Sequence, residues 1–181
     1  MRPCLLAFSA ATALSLMMSA GAGPSDPANL QREPPDMMRI FEAFPNATAI
    51  MDIDNDSILD CLTARRTEMD PENKTATYMW SLQGSDGKTR IHVPVYHMAG
   101  NTPDMTLYIF GSKNNTPEVG YFRYTDYKNC VIFELPHFGH QCTLWVSEAA
   151  RDSIPDYCLK QHANICGAGI TIYKDTCKDS E

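Results

Sequence analysis

An acidic segment of the chain has part of the pattern of a calcium-binding loop. Asp52, Asp54 and Asp56 have the spacing of the first three ligands of such a loop. Its sixth position, however, holds Ser57 where the sharp turn needs glycine, and its twelfth holds Thr63 where the bidentate glutamate belongs. We therefore interpret this segment as the solvated end of a strand and expect no metal there.

Histidines are the other candidates for metal binding or catalysis. His137, His140 and Cys142 lie close together in sequence, but two histidines in a short hairpin loop are typical of a polar turn, and we expect the cysteine to be oxidised. His92 and His97 have opposite parity in one predicted strand, so at most one of them faces inward. No G-x-S-x-G elbow is present. We predict neither a catalytic site nor a metal or other cofactor.

The cysteines predict an oxidised, extracellular protein. Cys4 belongs to an N-terminal segment that we expect to be cleaved, which leaves an even set of six. Six cysteines in an exported domain predict three disulfides, although their spacing does not choose among the pairings. The six are Cys61, Cys130, Cys142, Cys158, Cys166 and Cys177.

The N-terminus has the pattern of a secretory signal peptide. Arg2 precedes an apolar stretch, and the small residues Ala20-Gly21-Ala22 provide a cleavage site, so we predict a signal peptide over 1–22. The competing interpretation, a membrane anchor, needs about 20 apolar residues, and this stretch is shorter. Residues 23–35 are rich in proline and polar groups and predict a flexible leader. A single domain is expected over 36–181.

Charge narrows the set of partners. The chain has 22 acidic and 15 basic residues and a formal net charge of −7. This charge repels phosphate backbones and anionic membrane surfaces, so we expect neither nucleic acid nor membrane as a partner. We also expect a monomer. Four sequons predict a glycosylated extracellular surface, at Asn46, Asn55, Asn73 and Asn114.

The elements that would position any site are mainly strands. Short runs rich in β-branched and aromatic residues alternate with turn signals every ~8 to 12 residues. They predict eight strands, at 47–53, 60–69, 74–83, 88–98, 104–111, 118–126, 130–135 and 141–147. A helix is predicted before them, over 36–44, and a helix over 155–163 and a short strand over 170–173 after them. Strands in such a row form an up-and-down barrel or a sandwich, and periodicity does not decide between the two.

The last third of the chain carries a more specific pattern. It contains Tyr-Thr-Asp-Tyr-Lys-Asn-Cys130, Cys142-Thr-Leu-Trp145-Val and Ile154-Pro-Asp-Tyr-Cys158-Leu, followed by Cys166 and a terminal Cys177. This segment resembles the tick salivary lipocalins, the histamine-binding protein family. The resemblance implies an eight-stranded antiparallel barrel with a short N-terminal helix and a second helix packed outside. It also implies the disulfides Cys61–Cys177 and Cys130–Cys158, with Cys142–Cys166 as a third bridge.

Two positions depart from the amine-binding members of that family. Those members resemble one another in an Asp after the cysteine of the seventh strand and a Glu before the Leu-Trp of the eighth, where this chain has Val131 and Thr143. A desolvated ammonium ion needs a carboxylate partner. Binding of histamine or serotonin would therefore require another acid, such as Asp52 or Glu68.

Strand parity predicts a different site. If Val131 and Thr143 face inward, so do Phe133 and Trp145, because side chains alternate along a strand. Counting back from Cys130 along the sixth strand places Tyr121 and Arg123 inward as well, provided that no bulge shifts the register. An inward arginine among aromatic rings suits the carboxylate of a fatty acid or eicosanoid. The competing interpretation is that Arg123 points to solvent.

These observations predict a secreted binding protein that sequesters a small host inflammatory or haemostatic mediator. An eicosanoid or fatty acid is favoured, and a biogenic amine is the alternative. A further alternative from another class is an inhibitor of host complement or clotting proteins that uses the barrel exterior. That alternative predicts an interior filled by the protein's own side chains and an exposed apolar patch at one barrel end.

Overall fold

The computed structural model of the chain describes residues 33–84 and 89–180, without the side chains of 178–180. The predicted signal peptide and nearly all of the predicted leader lie outside the described residues. Nine strands and two α-helices form the described part. The strands are β1 (Asn46–Asp52), β2 (Thr63–Asp70), β3 (Thr75–Gln83), β4 (Arg90–Ala99), β5 (Met105–Phe110), β6 (Glu118–Thr125), β7 (Cys130–Leu135), β8 (Gln141–Ser147) and β9 (Ile170–Thr171), and the helices are α1 (Met37–Ala43) and α2 (Asp156–Cys166).

The sheet closes on itself. Each strand from β2 to β8 pairs antiparallel with the next, and β1 pairs with both β8 and β2, so the eight strands form a barrel. The two residues of β9 add an outer pairing to β1. This closure confirms the predicted eight-stranded lipocalin-type barrel and excludes the sandwich.

Alternation of side chains fills the barrel. In β3, Ala76, Tyr78, Trp80 and Leu82 are buried, while their neighbours are partly exposed. This is the period of two that a half-buried strand requires, and it places large aromatic rings inside. The interior core is consequently rich in aromatic side chains.

Helix α1 closes one end of the barrel. The carboxylate of Asp36 caps the helix by accepting a hydrogen bond from the backbone N–H of Arg39 at 2.9 Å. The backbone N–H of Met37 donates to the carbonyl of Pro103 at 2.8 Å, which ties the helix to the loop before β5. Ile40 and Phe41 point into the barrel and are almost fully buried. Helix packing thus replaces solvent at this end.

Helix α2 lies outside the barrel, as the resemblance implied. It packs on the outer faces of β7 and β8, where Ile132, Leu144 and Val146 form a second buried cluster with Cys158. No described helix is long and apolar enough to cross a membrane.

All three disulfides that the resemblance implied are present. Cys61–Cys177 has a Cα separation of 5.2 Å and closes the longest loop, with a sequence separation of 116. Cys130–Cys158 and Cys142–Cys166 attach α2 to the barrel wall, with Cα separations of 6.1 and 5.8 Å. The wall that faces α2 is therefore fixed covalently at both ends of the helix.

Candidate functional site

The interior contains a small cavity next to α1. Its volume is about 50 Å³, which is well below the roughly 150 Å³ of a cavity that holds benzene. Aromatic rings fill most of the space, and Phe122 and Phe133 stack at a centroid distance of 4.7 Å. We call this space the inner cavity. It is lined by Ile40, Phe41, Phe44, Ala47, Ala64, Tyr78, Trp80, His97, Phe122, Val131, Phe133 and Trp145.

Three of the predicted site residues line the inner cavity, namely Val131, Phe133 and Trp145. The predicted residue Thr143 is fully buried on the same face of β8 as Trp145. Its hydroxyl donates to the carbonyl of Phe133 at 2.9 Å and accepts from the indole N–H of Trp145 at 2.7 Å. Thr143 thus fixes the orientation of Trp145. The side chains of these four residues point into the barrel, as strand parity predicted.

The inward facing predicted for Tyr121 and Arg123 is wrong. The register of β6 against β7 shifts by one residue between Phe122 and Tyr124, so that Phe122 lies opposite Phe133. This is a β-bulge at Arg123, and a one-residue shift moves each side chain to the other face. Arg123 is exposed, forms an ion pair with Glu134 and stacks over the ring of Tyr121 at 4.5 Å. Neither residue lines the inner cavity.

The polar groups of the inner cavity are uncharged. His97 is buried, and its Nδ1 lies 3.2 Å from the hydroxyl of Thr106. Burial lowers the pKa of His97 to about 3, so the ring is neutral at physiological pH. The hydroxyl of Tyr78 donates to the carbonyl of Phe44 at 2.8 Å, and burial raises its pKa. The expectation that at most one of His92 and His97 faces inward is confirmed, since His92 is exposed.

A larger cleft lies at the opposite end of the barrel, which we call the mouth. Its volume is about 570 Å³, within the range of small-molecule sites. Ile58, Ile91 and Phe138 border it, and all three are unusually exposed for large apolar side chains. We call this space the mouth cleft. Its lining residues are Asp56, Ser57, Ile58, Asp60, Leu82, Gln83, Gly84, Ile91, Val93, Phe110 and Phe138.

The β7–β8 loop is held at the mouth by two histidine–carboxylate pairs. Nδ1 of His137 lies 2.6 Å from the carboxylate of Glu118, and Nε2 of His140 lies 2.6 Å from that of Glu134. Burial alone would raise the pKa of Glu134, but hydrogen bonds from His140 and Arg123 lower it overall. Between the two histidines, Phe138 has a left-handed φ of 62° and contacts Phe110 edge-on at 5.6 Å. The loop thereby presents an aromatic ring to the mouth cleft.

Metal binding at these histidines has no support within 33–84 and 89–180, where no group of three or more ligating side chains comes together. Cys142 is bonded to Cys166, as expected.

The acids suggested as substitutes for the missing amine ligands lie elsewhere. Asp52 lines neither space; its carboxylate accepts hydrogen bonds from the backbone of Ile53 and Cys142, and burial raises its pKa to about 6. Glu68 is exposed on β2. Among the described residues, the acids that border the mouth cleft are Asp56 and Asp60, and Asp60 forms an ion pair with Lys174 at 2.6 Å.

The sequence prediction omitted several residues that line these spaces. Tyr78 and Trp80 are large side chains of a predicted strand, but nothing in the sequence fixed which face of that strand was inward. Gly120 lines neither space but was also missed as a neighbour of Phe133, since an added Cβ there would lie 2.6 Å from the Phe133 ring. A side chain at position 120 would displace that ring.

Comparison with known proteins agrees with this architecture. The family model described as tick histamine binding protein matches residues 46–179, which is most of the chain. The chain belongs to this family. No functionally curated protein sequence matches the chain significantly.

Solved structures show the same fold at low sequence identity. The AM182 serotonin complex is 12% identical, with a TM-score of 0.63, and the match covers 80% of this chain and 94% of that one. Japanin from Rhipicephalus appendiculatus, bound to cholesterol, is 14% identical, with a TM-score of 0.57 and coverage of 78% and 98%. Lobster apocrustacyanin A1 is 11% identical, with a TM-score of 0.51 and coverage of 73% and 77%. At these identities the likeness establishes the fold alone.

Proposed function

We propose that this protein sequesters a small, mainly apolar and uncharged molecule that enters the barrel through the mouth. The observation that carries the proposal is the mouth cleft of about 570 Å³, whose walls include Ile58, Ile91 and Phe138. Exposed apolar side chains around a concave space are typical of a ligand site, because a bound ligand removes their apolar surface from unfavourable contact with water.

The charges at the mouth cleft disfavour an anionic ligand. Carboxylate capture inside the barrel has lost its basis, because Arg123 lies outside and pairs with Glu134. A carboxylate in the mouth cleft would meet Asp56 and Asp60, so a fatty acid or eicosanoid would bind there through its tail and be opposed at its head. The lipid part of the sequence prediction therefore stays a proposal, with a neutral head group now favoured over a carboxylate.

The biological role that we propose for the protein is capture of a host mediator outside the cell. The signal-peptide pattern, the three disulfides and membership of the tick family support a secreted protein that lowers the free concentration of a host mediator. The serotonin and cholesterol complexes of AM182 and Japanin support small-molecule binding by this fold. Occupancy of the four sequons, the monomeric state and the lack of enzyme activity stay predictions.

A titration with three ligands that share one tail tests the proposal. Purified, oxidised protein is titrated with dodecanol, dodecanoate and dodecylamine, with histamine and serotonin in parallel, and Trp fluorescence is recorded. We expect dodecanol to bind and dodecanoate to bind at least tenfold more weakly. Tightest binding of dodecylamine, lost in Asp56→Asn, would instead support amine capture through an acid that differs from those of the family's amine-binding members.

A second candidate function, inhibition of a host complement or clotting protein, is favoured by one observation. The inner cavity is nearly filled, and the apolar residues Ile58, Ile91 and Phe138 are exposed together at one barrel end. Both features were expected of a protein-binding member. Prolonged clotting or reduced complement lysis, abolished by Ile91→Ser and Phe138→Ser while dodecanol does not bind, would support this candidate over the first.

A further inference from the structure

The mouth cleft and the inner cavity lie in successive layers along the barrel axis. On β3, the inward residues Tyr78 and Trp80 border the inner cavity, and the next inward residue, Leu82, borders the mouth cleft. On β4, His97 borders the inner cavity, and Val93, further toward the mouth, borders the cleft. A ligand that enters at the mouth therefore approaches the inner cavity along the barrel axis, from the end opposite α1.

Two aromatic rings separate the spaces. Phe110 borders the mouth cleft, Trp80 borders the inner cavity, and their rings meet edge-on at 5.8 Å. Trp80 also packs against Trp145, with ring centroids 5.3 Å apart, and the indole N–H of Trp145 donates to the hydroxyl of Thr143.

Phe110 is more exposed than Trp80. It is only partly buried, whereas Trp80 is buried. Its other ring contacts are His137 at 4.6 Å and Phe138 at 5.6 Å, both in the β7–β8 loop. The next residue, Gly111, has a φ of 80°, so β5 ends at Phe110. The ring that faces the ligand is thus at a strand end and packed against a loop.

We propose that Phe110 is the specificity-determining residue that sets how deep a ligand can enter the barrel. The inference rests on the proposed function and deepens it, because it limits the ligand to an apolar body that fits above the Phe110 ring. Removal of the Phe110 ring would extend the mouth cleft as far as the ring of Trp80. Longer apolar ligands would then bury more of their length.

A chain-length series measures this depth. Hexanol, octanol, decanol, dodecanol and tetradecanol are titrated by calorimetry into the wild type, Phe110→Ala and Ile91→Ala. Affinity should rise about fourfold per buried CH₂ until the chain fills the available space, and then level off. We expect Phe110→Ala to move this levelling to a longer chain and to bind tetradecanol at least tenfold more tightly than the wild type does.

Ile91→Ala is the matched control, since Ile91 borders the same cleft but is 49% exposed and is not one of the two rings that separate the cleft from the inner cavity. It should weaken all alcohols by a similar factor and leave the levelling length unchanged. If Phe110→Ala fails to fold, Phe110→Leu, which shortens the side chain, should give a smaller shift in the same direction. An unchanged levelling length despite wild-type binding would overturn this inference alone, whereas no wild-type binding of any alcohol would overturn the proposed function with it.

Discussion

The two ends of the barrel are stabilised in different ways. At the α1 end, Ile40 and Phe41 are 2% and 3% exposed and pack among interior rings, whereas at the mouth Ile91 and Phe138 are 49% and 37% exposed. The α1 end depends on apolar burial. The mouth depends on a disulfide at Cys61 and on hydrogen-bonded charge pairs, which tolerate exposure. The closed end is therefore stabilised by its apolar core, whereas a disulfide and ion pairs hold the mouth and leave its apolar surface accessible to a ligand.

The largest expected effect comes from the disulfide at the mouth. Replacement of Cys61 and Cys177 by alanine should lower the free energy of unfolding by about 5 kcal/mol, because their bridge closes the longest loop. Replacement of Cys130 and Cys158, whose separation is 28, should cost about 3.5 kcal/mol. Denaturant titrations of both variants check this order. Faster amide exchange in α1 than in the β1–β2 loop of the first variant would contradict the division between the ends.

Truncation of Phe41, which packs inside the closed end, should lower the free energy of unfolding by nearly as much. Phe41 contacts Tyr78, His97 and Phe122, with ring centroids 5.0 to 5.7 Å away. Phe41→Ala should therefore lower the free energy of unfolding by about 3–5 kcal/mol. The matched change at the mouth, Phe138→Ala, should cost less than about 1 kcal/mol. If chemical denaturation gave equal losses of unfolding free energy for the two variants, apolar burial would not distinguish the closed end from the mouth.

A buried carboxyl at the end of β1 should make stability depend on pH. The pKa of Asp52 is about 6 in the folded protein, against 3.8 for an ordinary aspartate. Between these values the folded state binds more protons than the unfolded chain, so the free energy of unfolding decreases as pH rises. Relative to the wild type, Asp52→Asn should gain about 3 kcal/mol between about pH 4 and pH 7.

Denaturation of both proteins at a series of pH values measures this gain. Asp152→Asn, which alters a carboxyl that is 78% exposed, is the control and should differ from the wild type by a constant amount. A pH-independent difference for Asp52→Asn as well would show that the carboxyl is not desolvated.

The smallest expected effect concerns the loop at the mouth. Glu118 accepts a hydrogen bond from the hydroxyl of buried Tyr108, which glutamine could also accept, and it pairs with His137; the Glu118 and His137 side chains are 32% and 24% exposed. Glu118→Gln should therefore change the free energy of unfolding by about 1 kcal/mol or less. It should nevertheless increase amide exchange of the β7–β8 loop, which hydrogen-exchange mass spectrometry would detect. A global loss of stability would mean that the mouth contributes more to the fold than its exposure indicates.

The sequence predicted the fold more completely than the site. Turn spacing located all eight barrel strands, and the resemblance implied the disulfides that the structure contains. Parity worked in β7 and β8, where Val131, Phe133 and Trp145 line the inner cavity. It failed in β6 because the bulge at Arg123 has no sequence signature, and one extra residue reverses the facing of Tyr121 and Arg123.

The two cavities were also beyond sequence reasoning. The volume left inside a barrel depends on how side chains from several strands pack, as where the ring of Phe133 fills the space beside Gly120. The mouth cleft joins Ile58, Ile91 and Phe138, which are far apart in sequence and come together only when the barrel closes. Periodicity within one strand carries no information on such contacts.

A crystal structure of the oxidised protein with dodecanol would show whether the mouth cleft holds an apolar ligand. We expect density for the alkyl chain in the mouth cleft, between Ile91 and Phe138, with the hydroxyl toward solvent and the ring of Phe110 beneath the chain. An occupied mouth cleft in the wild type and an empty one in Ile91→Asp would establish the route of entry. Density on the outer wall beside α2, or no bound alcohol at saturating concentration, would contradict the claim that this barrel captures an apolar ligand through its mouth.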